Sequence, residues 1–237
     1  MKYNNIIIAG EDNHILVAGK PTGMLSQKDI TEDDSILEVL KEYIRDKYKK
    51  PGNVFLGSVH RIDRPASGLL VFAKTSKALS RLTESMKAGE FTKKYLVILD
   101  GVVREQEGTL SHYLLKDRGT NTVKVFERGK KDSKLAELRF RIIAILNGRS
   151  LLEVELLTGR PHQIRAQLSH VFFPVRGDVK YGSQLKSNDH RIYLHSCKLS
   201  FPHPTLRDEV QFALKPDTDD PVWAEFSKFI DEYLSKV

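Results

Sequence analysis

The sequence predicts an α+β chain built on a mixed, largely antiparallel central sheet with flanking helices. Three observations predict it. Short runs rich in Val, Ile, Leu and Phe, bounded by Gly, Pro, Asn and Asp, outnumber the segments with helical periodicity. Most of these runs are joined by short turns, as antiparallel neighbours are. And 40% of the 237 residues are hydrophobic, enough to bury a core.

Along the chain, IIIAGEDNHILVAGKPTG reads as strand, turn, strand, with Asp12-Asn13 at the turn and Pro21-Thr22-Gly23 closing the second strand. DDSILEVLKEYIRDKYKKPG reads as a helix. Ser35 and Glu38 form a capping-box pattern, Ile36, Val39, Leu40, Tyr43 and Ile44 make one apolar face, and Pro51-Gly52 stops it. NVFLGS and GLLVFAKT read as buried strands on either side of the sequence His60-Arg61-Ile62-Asp63. SKALSRLTESMKAG is a second helix, with Ser76 as cap and Gly89 as terminator. The strand candidates that follow are KKYLVILDGVV, TLSHYLL, TVKVFE, LAELRFRIIAIL, SLLEVELLT, RIYLHSCKLSF and EVQFAL. Between them PHQIRAQLSH reads as a short helix, because Pro161 suits a first helical turn. PVWAEFSKFIDEYLSK reads as the last helix, with Trp223, Phe226, Ile230 and Tyr233 inward.

The net charge of +7 points to a polyanionic partner, since Lys and Arg release condensed counterions on meeting phosphates. The single cysteine, Cys197, rules out an internal disulfide and a thiolate zinc site, and suits a reducing cytoplasm. The first residues carry too short an apolar patch for a signal peptide, and no apolar run approaches the ~18 residues of a membrane span. The expectation is a cytoplasmic protein, read as one domain over residues 1–237 and as a monomer.

Three segments offer chemistry. In His60-Arg61-Ile62-Asp63-Arg64 a carboxylate lies among cations on a loop between strands; a nearby guanidinium keeps such an Asp charged even in shelter. The plain alternative is an ion pair that orders the loop. In LLTGRPHQIRAQLSH, helical spacing puts His162 and Arg165 on one face and Gln163 and Gln167 on another, or the segment is an ordinary polar helix. In KKYLVIL, Tyr95 opens an apolar strand, where an aromatic can stack on a nucleobase or simply fill a core. No phosphate-binding glycine motif is present, so no nucleotide cofactor is expected. No His/Cys/Asp/Glu set has metal-ligand spacing, and the histidines at 60, 112, 162, 170, 190, 195 and 203 read as structural, so no metal is expected.

Taken in order, these segments resemble the RluA-type pseudouridine synthases over most of the chain. VHRIDRPASGLLVFAKT is similar to that family's HR-L-D-x-x-TSGLL-x-x-AK segment, and KKYLVILDG to its K-x-Y strand. LLTGRPHQIRAQLSHVFFPVRGDVKYG is similar to TGR-x-HQIR-x-HL running on through P-I-x-GD-x-x-YG. LHSCKLSFPHP resembles the LHA-x-x-L-x-F-x-HP ending, and EDNHILVAGKPTGMLSQ the opening strand pair. Three departures stand out: Ala66 for the usual Thr, Gln167 for the usual His, and Phe173 where Gly is frequent.

The resemblance implies the pseudouridine synthase fold with a central active-site cleft, and isomerisation of uridine in structured RNA, rRNA or tRNA, without cofactor or metal. It implies that Asp63 is the catalytic carboxylate and that Tyr95 stacks on the flipped base. It implies that Arg165 pairs with Asp63 and that Arg61 helps displace the target base from the stack. His60, Arg160, His162 and Gln163 fall on motif positions with supporting roles. It also implies that no separate N-terminal RNA-binding module precedes the catalytic domain. Two other readings stay open: a non-catalytic RNA-binding or RNA-folding protein on the same scaffold, and a metal-free hydrolase with Asp63 and His162 as acid and base.

Overall fold

Most apolar runs become strands and the 3.6-periodic segments become helices; the expected buried strand NVFLGS is corrected, being strand only over Gly57–Ser58, with Phe55 exposed and Val54 and Leu56 buried. A computed structural model describes residues 2–28, 33–117, 119–185, 187, 189 and 191–236. In chain order the elements are β1 (Lys2–Tyr3), β2 (Ile6–Glu11), β3 (Ile15–Lys20), α1 (Ile36–Tyr48), β4 (Gly57–Ser58), β5 (Ser67–Ala73), α2 (Ser76–Lys87) and β6 (Thr92–Leu99). There follow β7 (Glu107–Asp117), β8 (Thr122–Phe126), β9 (Lys134–Leu146), β10 (Arg149–Leu156) and α3 (Gln163–Val171). A 3₁₀ turn, Val179–Tyr181, precedes β11 (Leu194–Pro202), β12 (Glu209–Ala213), α4 (Pro221–Glu225) and α5 (Ser227–Leu234). The strand pairs with an assigned register are antiparallel, as the turn lengths predict. No helix among the described residues is long and apolar enough to cross a membrane.

The chain forms two compact units, Met1–Thr92 with Ser196–Leu214, and Lys93–His195 with Lys215–Val237. In the first, the strand order is β1-β2-β3-β5-β11, with β12 on β11 and β4 on β5. Both faces of this sheet are covered, which is why β3 is buried along its whole length and apolar from Ile15 to Ala18 rather than alternating. Its even positions, Leu16 and Ala18, pack with Leu70 and Phe72 against Ile36, Leu40, Tyr43 and Ile44 of α1. Its odd positions, Ile15 and Val17, pack with Leu69 and Val71 against Ala78 and Leu82 of α2. The Ser35 hydroxyl caps α1 through the Glu38 N–H at 3.4 Å, as the capping box predicts. The cap of α2 is Thr75 and not Ser76: the Thr75 hydroxyl accepts the Ala78 N–H at 3.1 Å, while Ser76 already has helical backbone.

In the second unit the order is β6-β10-β9-β7-β8. Leu114, Val123 and Ala136 form one face of β7, β8 and β9, and Ala166 of α3 packs on it. The period of two places His112 in phase with Leu110 and Leu114, so it is buried too. The last helix is broken at Phe226 into α4 and α5; Trp223, Phe226, Ile230 and Tyr233 are buried as expected.

Candidate active site

The loop carrying Asp63 runs from β4 to β5 within the first unit, and its backbone carbonyls are satisfied by groups around it. The Ser58 hydroxyl donates to the His60 carbonyl at 3.0 Å and the Ser26 hydroxyl to that of Ile62 at 2.8 Å. The Gly23 N–H donates to the Arg64 carbonyl at 3.0 Å and the Thr22 hydroxyl to that of Pro65 at 2.8 Å. The Asp63 carbonyl accepts the Ala66 N–H at 3.1 Å, which closes a turn. His60 is half-buried, and its Nε2 accepts the Val71 N–H at 3.2 Å, tying the loop to β5. Gly68, just after the loop, has φ +114°, and a Cβ there would lie 2.3 Å from the Ser196 carbonyl oxygen, so no other residue fits.

The two arginines that flank Asp63 differ. Arg64 pairs with Asp33 at 2.8 Å and donates through Nε to the Gly23 carbonyl at 2.9 Å. Arg61 is exposed. Asp63 is half-buried between them in sequence.

A residue that sequence reasoning missed holds this loop from below. Lys20 ends β3 in phase with Leu16 and Ala18, on the face buried under α1, and is 1% exposed. Its ammonium donates to the carbonyls of Met24 at 2.8 Å, Pro21 at 2.9 Å and Arg64 at 3.0 Å, which accounts for all three of its N–H bonds. Burial pulls the Lys20 ammonium down to about 7; the negative charge of Asp63 opposes that shift and the Arg64 guanidinium adds to it. The signal was present in the sequence: a lysine at the apolar phase of a buried strand.

In the second unit, Tyr95 lies in β6 opposite Val154 of β10 and is largely buried. Arg165, in the first turns of α3, is buried and bidentate to Asp178, with Nε at 2.6 Å from Oδ2 and Nη2 at 2.8 Å from Oδ1. The Tyr181 ring lies under the same guanidinium, 5.1 Å from its carbon. Asp178 follows Gly177, which has φ +82° and where a Cβ would lie 2.5 Å from the Arg191 carbonyl oxygen, so only glycine fits. Sequence reasoning read Gly177-Asp178 and Tyr181-Gly182 as a motif without seeing that they orient Arg165.

The helix begins later than expected. His162 stands outside it with φ 50° and ψ 21°, and its carbonyl accepts the Ala166 N–H at 2.9 Å, making it the N-cap. The expected shared helical face of His162 and Arg165 is therefore corrected, because Gln163 starts the helix by clamping the preceding turn. Gln163 Oε1 accepts the Thr158 hydroxyl at 2.8 Å and the Arg160 N–H at 2.9 Å, and its Nε2 donates to the Glu137 carbonyl at 2.9 Å. Arg160 Nε donates to the Leu135 carbonyl at 2.9 Å. His162 Nδ1 lies 2.9 Å from the Tyr181 hydroxyl.

Three ionisable groups that share no local sequence spacing also meet. Among the described residues His112, Glu127 and His170 converge, with their ligand atoms within 4.8 Å of one another. They come from three segments too far apart in sequence for any local spacing rule. His195 and His203 are buried beside strands as expected, His203 bonding Asp12 at 2.7 Å, and His190 lies outside the described residues.

Residues 14–170 match the family model described as RNA pseudouridylate synthase. The chain is 31% identical over 218 residues to a ribosomal large subunit pseudouridine synthase C of Buchnera aphidicola, covering 88% of this chain and 66% of that relative's length. It is 30% identical over 251 residues to a tRNA pseudouridine synthase C of Vibrio parahaemolyticus, covering 97% of each. Among solved structures, human RNA pseudouridylate synthase domain containing 4 shares the fold at a TM-score of 0.75 and 20% identity, covering 94% of this chain and 92% of that one. With the family model matched from the β2–β3 turn to the last turn of α3, and relatives of this identity along most of its length, the chain belongs to the RNA pseudouridylate synthase family.

Proposed function

We propose that the protein isomerises specific uridines of structured RNA, rRNA or tRNA, to pseudouridine in the cytoplasm. Asp63 is the catalytic carboxylate, acting on a base swung out of its stack. Extrusion of the base costs a few kcal/mol. Stacking on the Tyr95 ring returns roughly 1–3 kcal/mol of it, and Arg61, exposed beside the loop, fills the space the base leaves. This reading assigns Arg165 as the partner of Asp63, and the bidentate bond from Asp178 holds the Arg165 guanidinium in one orientation.

The observation that carries this reading is the loop itself, whose carbonyls at His60, Ile62, Asp63, Arg64 and Pro65 are bonded to fixed partners. A loop so held presents one carboxylate in a preset position, as a nucleophile or base for glycosidic-bond chemistry requires. Asp63→Asn tests it. Tritium release from RNA labelled at uridine C5 falls to background in that variant, and RNA affinity stays near the wild-type value. Normal turnover of the variant removes Asp63 from the chemistry.

A further inference from the structure

We propose that His112, Glu127 and His170 form a binding site for a divalent transition-metal ion of the zinc class, which staples the β7–β8 hairpin to the last turn of α3.

Glu127 Oε1 lies 3.1 Å from His170 Nε2 and 3.7 Å from His112 Nε2. The edge of a tetrahedron of zinc ligands, from bond lengths near 2.0–2.1 Å, is about 3.3 Å. Two edges of the site are therefore nearly formed. The two imidazoles meet at 84° with centroids 5.6 Å apart, so their Nε2 atoms converge on the carboxylate without ring stacking. His112 is rigid, 6% exposed at an inward position of β7. His170 and Glu127 are exposed enough to swing closer. Two imidazoles and one carboxylate suit zinc, cobalt or nickel better than the hard cations calcium and magnesium, which take oxygen ligands. A fourth position is left to water.

Gln167 is the second observation that points to a ligand. It is fully buried, its Nε2 lies 2.9 Å from His112 Nδ1, and its Oε1 has no hydrogen-bond partner among the described residues. With the amide so turned, Nδ1 accepts and the proton sits on Nε2, where the ion would bind. A half-turn brings the unpartnered Oε1 onto an Nδ1–H and frees the Nε2 lone pair, which is the arrangement metal-bound histidines adopt. The turn takes a donor from the Leu110 and Ala136 carbonyls, now bonded at 3.3 and 3.2 Å, a cost the ion must offset.

The test uses the full chain, without a histidine tag and stripped by a chelator, titrated with Co(II) and then with Zn(II). The wild type shows visible bands of four-coordinate Co(II) that saturate at one equivalent and are bleached by Zn(II), and Zn(II) raises its melting temperature. His170→Ala and Glu127→Gln change exposed side chains, melt in chelator as the wild type does, and bind at least roughly ten-fold more weakly. Gln167→Leu retains all three ligands and binds roughly ten- to hundred-fold more weakly. Absence of a saturable Co(II) signal in the wild type overturns the site. So does an equal signal in His170→Ala and Glu127→Gln. Unchanged affinity in Gln167→Leu overturns the role given to the amide.

Discussion

Lys20→Met separates the positioning of the Asp63 loop from the stability of the fold. The substitution keeps the aliphatic stem and removes the ammonium from three carbonyls. The Arg64 carbonyl still has the Gly23 N–H, so only those of Pro21 and Met24 are orphaned, at about 1–3 kcal/mol each. Against this, holding a charged lysine whose pKa has moved from 10.5 to about 7 costs the folded state about 5 kcal/mol below pH 7, and methionine relieves that cost. The two effects cancel within the spread of either, so the free energy of unfolding at pH 7 changes by less than about 2 kcal/mol. The loop does not escape so lightly. Without the ammonium bridging Pro21, Met24 and Arg64, the segment next to Asp63 shifts, and a displacement near 1 Å costs about a hundred-fold in rate. The assay pairs urea unfolding with single-turnover pseudouridine formation. Loss of turnover in a chain that unfolds at the wild-type midpoint is the expected result. Wild-type turnover would show that Lys20 does not position the loop, and parallel loss of folding and turnover would reduce it to an ordinary core residue.

The same lysine gives a pH signature. Between about 7 and about 10.5 the unfolded chain holds a proton that the folded chain has released, so the contribution of this group to stability rises with pH across that window. Urea midpoints of wild type and Lys20→Met at pH 6 and pH 9, compared with each other, should show the rise only in the wild type. Asp178→Asn leaves the Arg165 guanidinium buried without its bidentate carboxylate and should lower unfolding free energy by about 3–5 kcal/mol, read by urea denaturation. Affinity for RNA should drop roughly a thousand-fold between about 50 and about 200 mM salt if some six phosphates are neutralised by the basic stretches 41–50 and 116–134, as filter binding across salt would show. A flat response there would remove phosphate contacts as the main source of affinity.

Local pattern alone located the helices and strands to within a few residues, because burial on one or both faces of a sheet leaves a period of two or a continuous apolar run. It did not single out Asp63, Tyr95 or Arg165; those came from the resemblance to ordered family motifs, which also contain the glycines at 68 and 177, where a Cβ would meet backbone. It misplaced what depends on one hydrogen bond: Thr75 caps α2 because its hydroxyl reaches the Ala78 N–H, and His162 is left outside α3 because Gln163 clamps the turn before it. Tertiary packing alone decided which distant groups meet. Lys20 reaches the Arg64 carbonyl 44 residues on because β3 and β5 are neighbours, and Arg165 reaches Asp178 because the chain turns back at Gly177. His112, Glu127 and His170 are brought together only by α3 lying on the β7–β9 face. Periodicity reports which way a side chain points along its own element; what it points at is set by the rest of the chain.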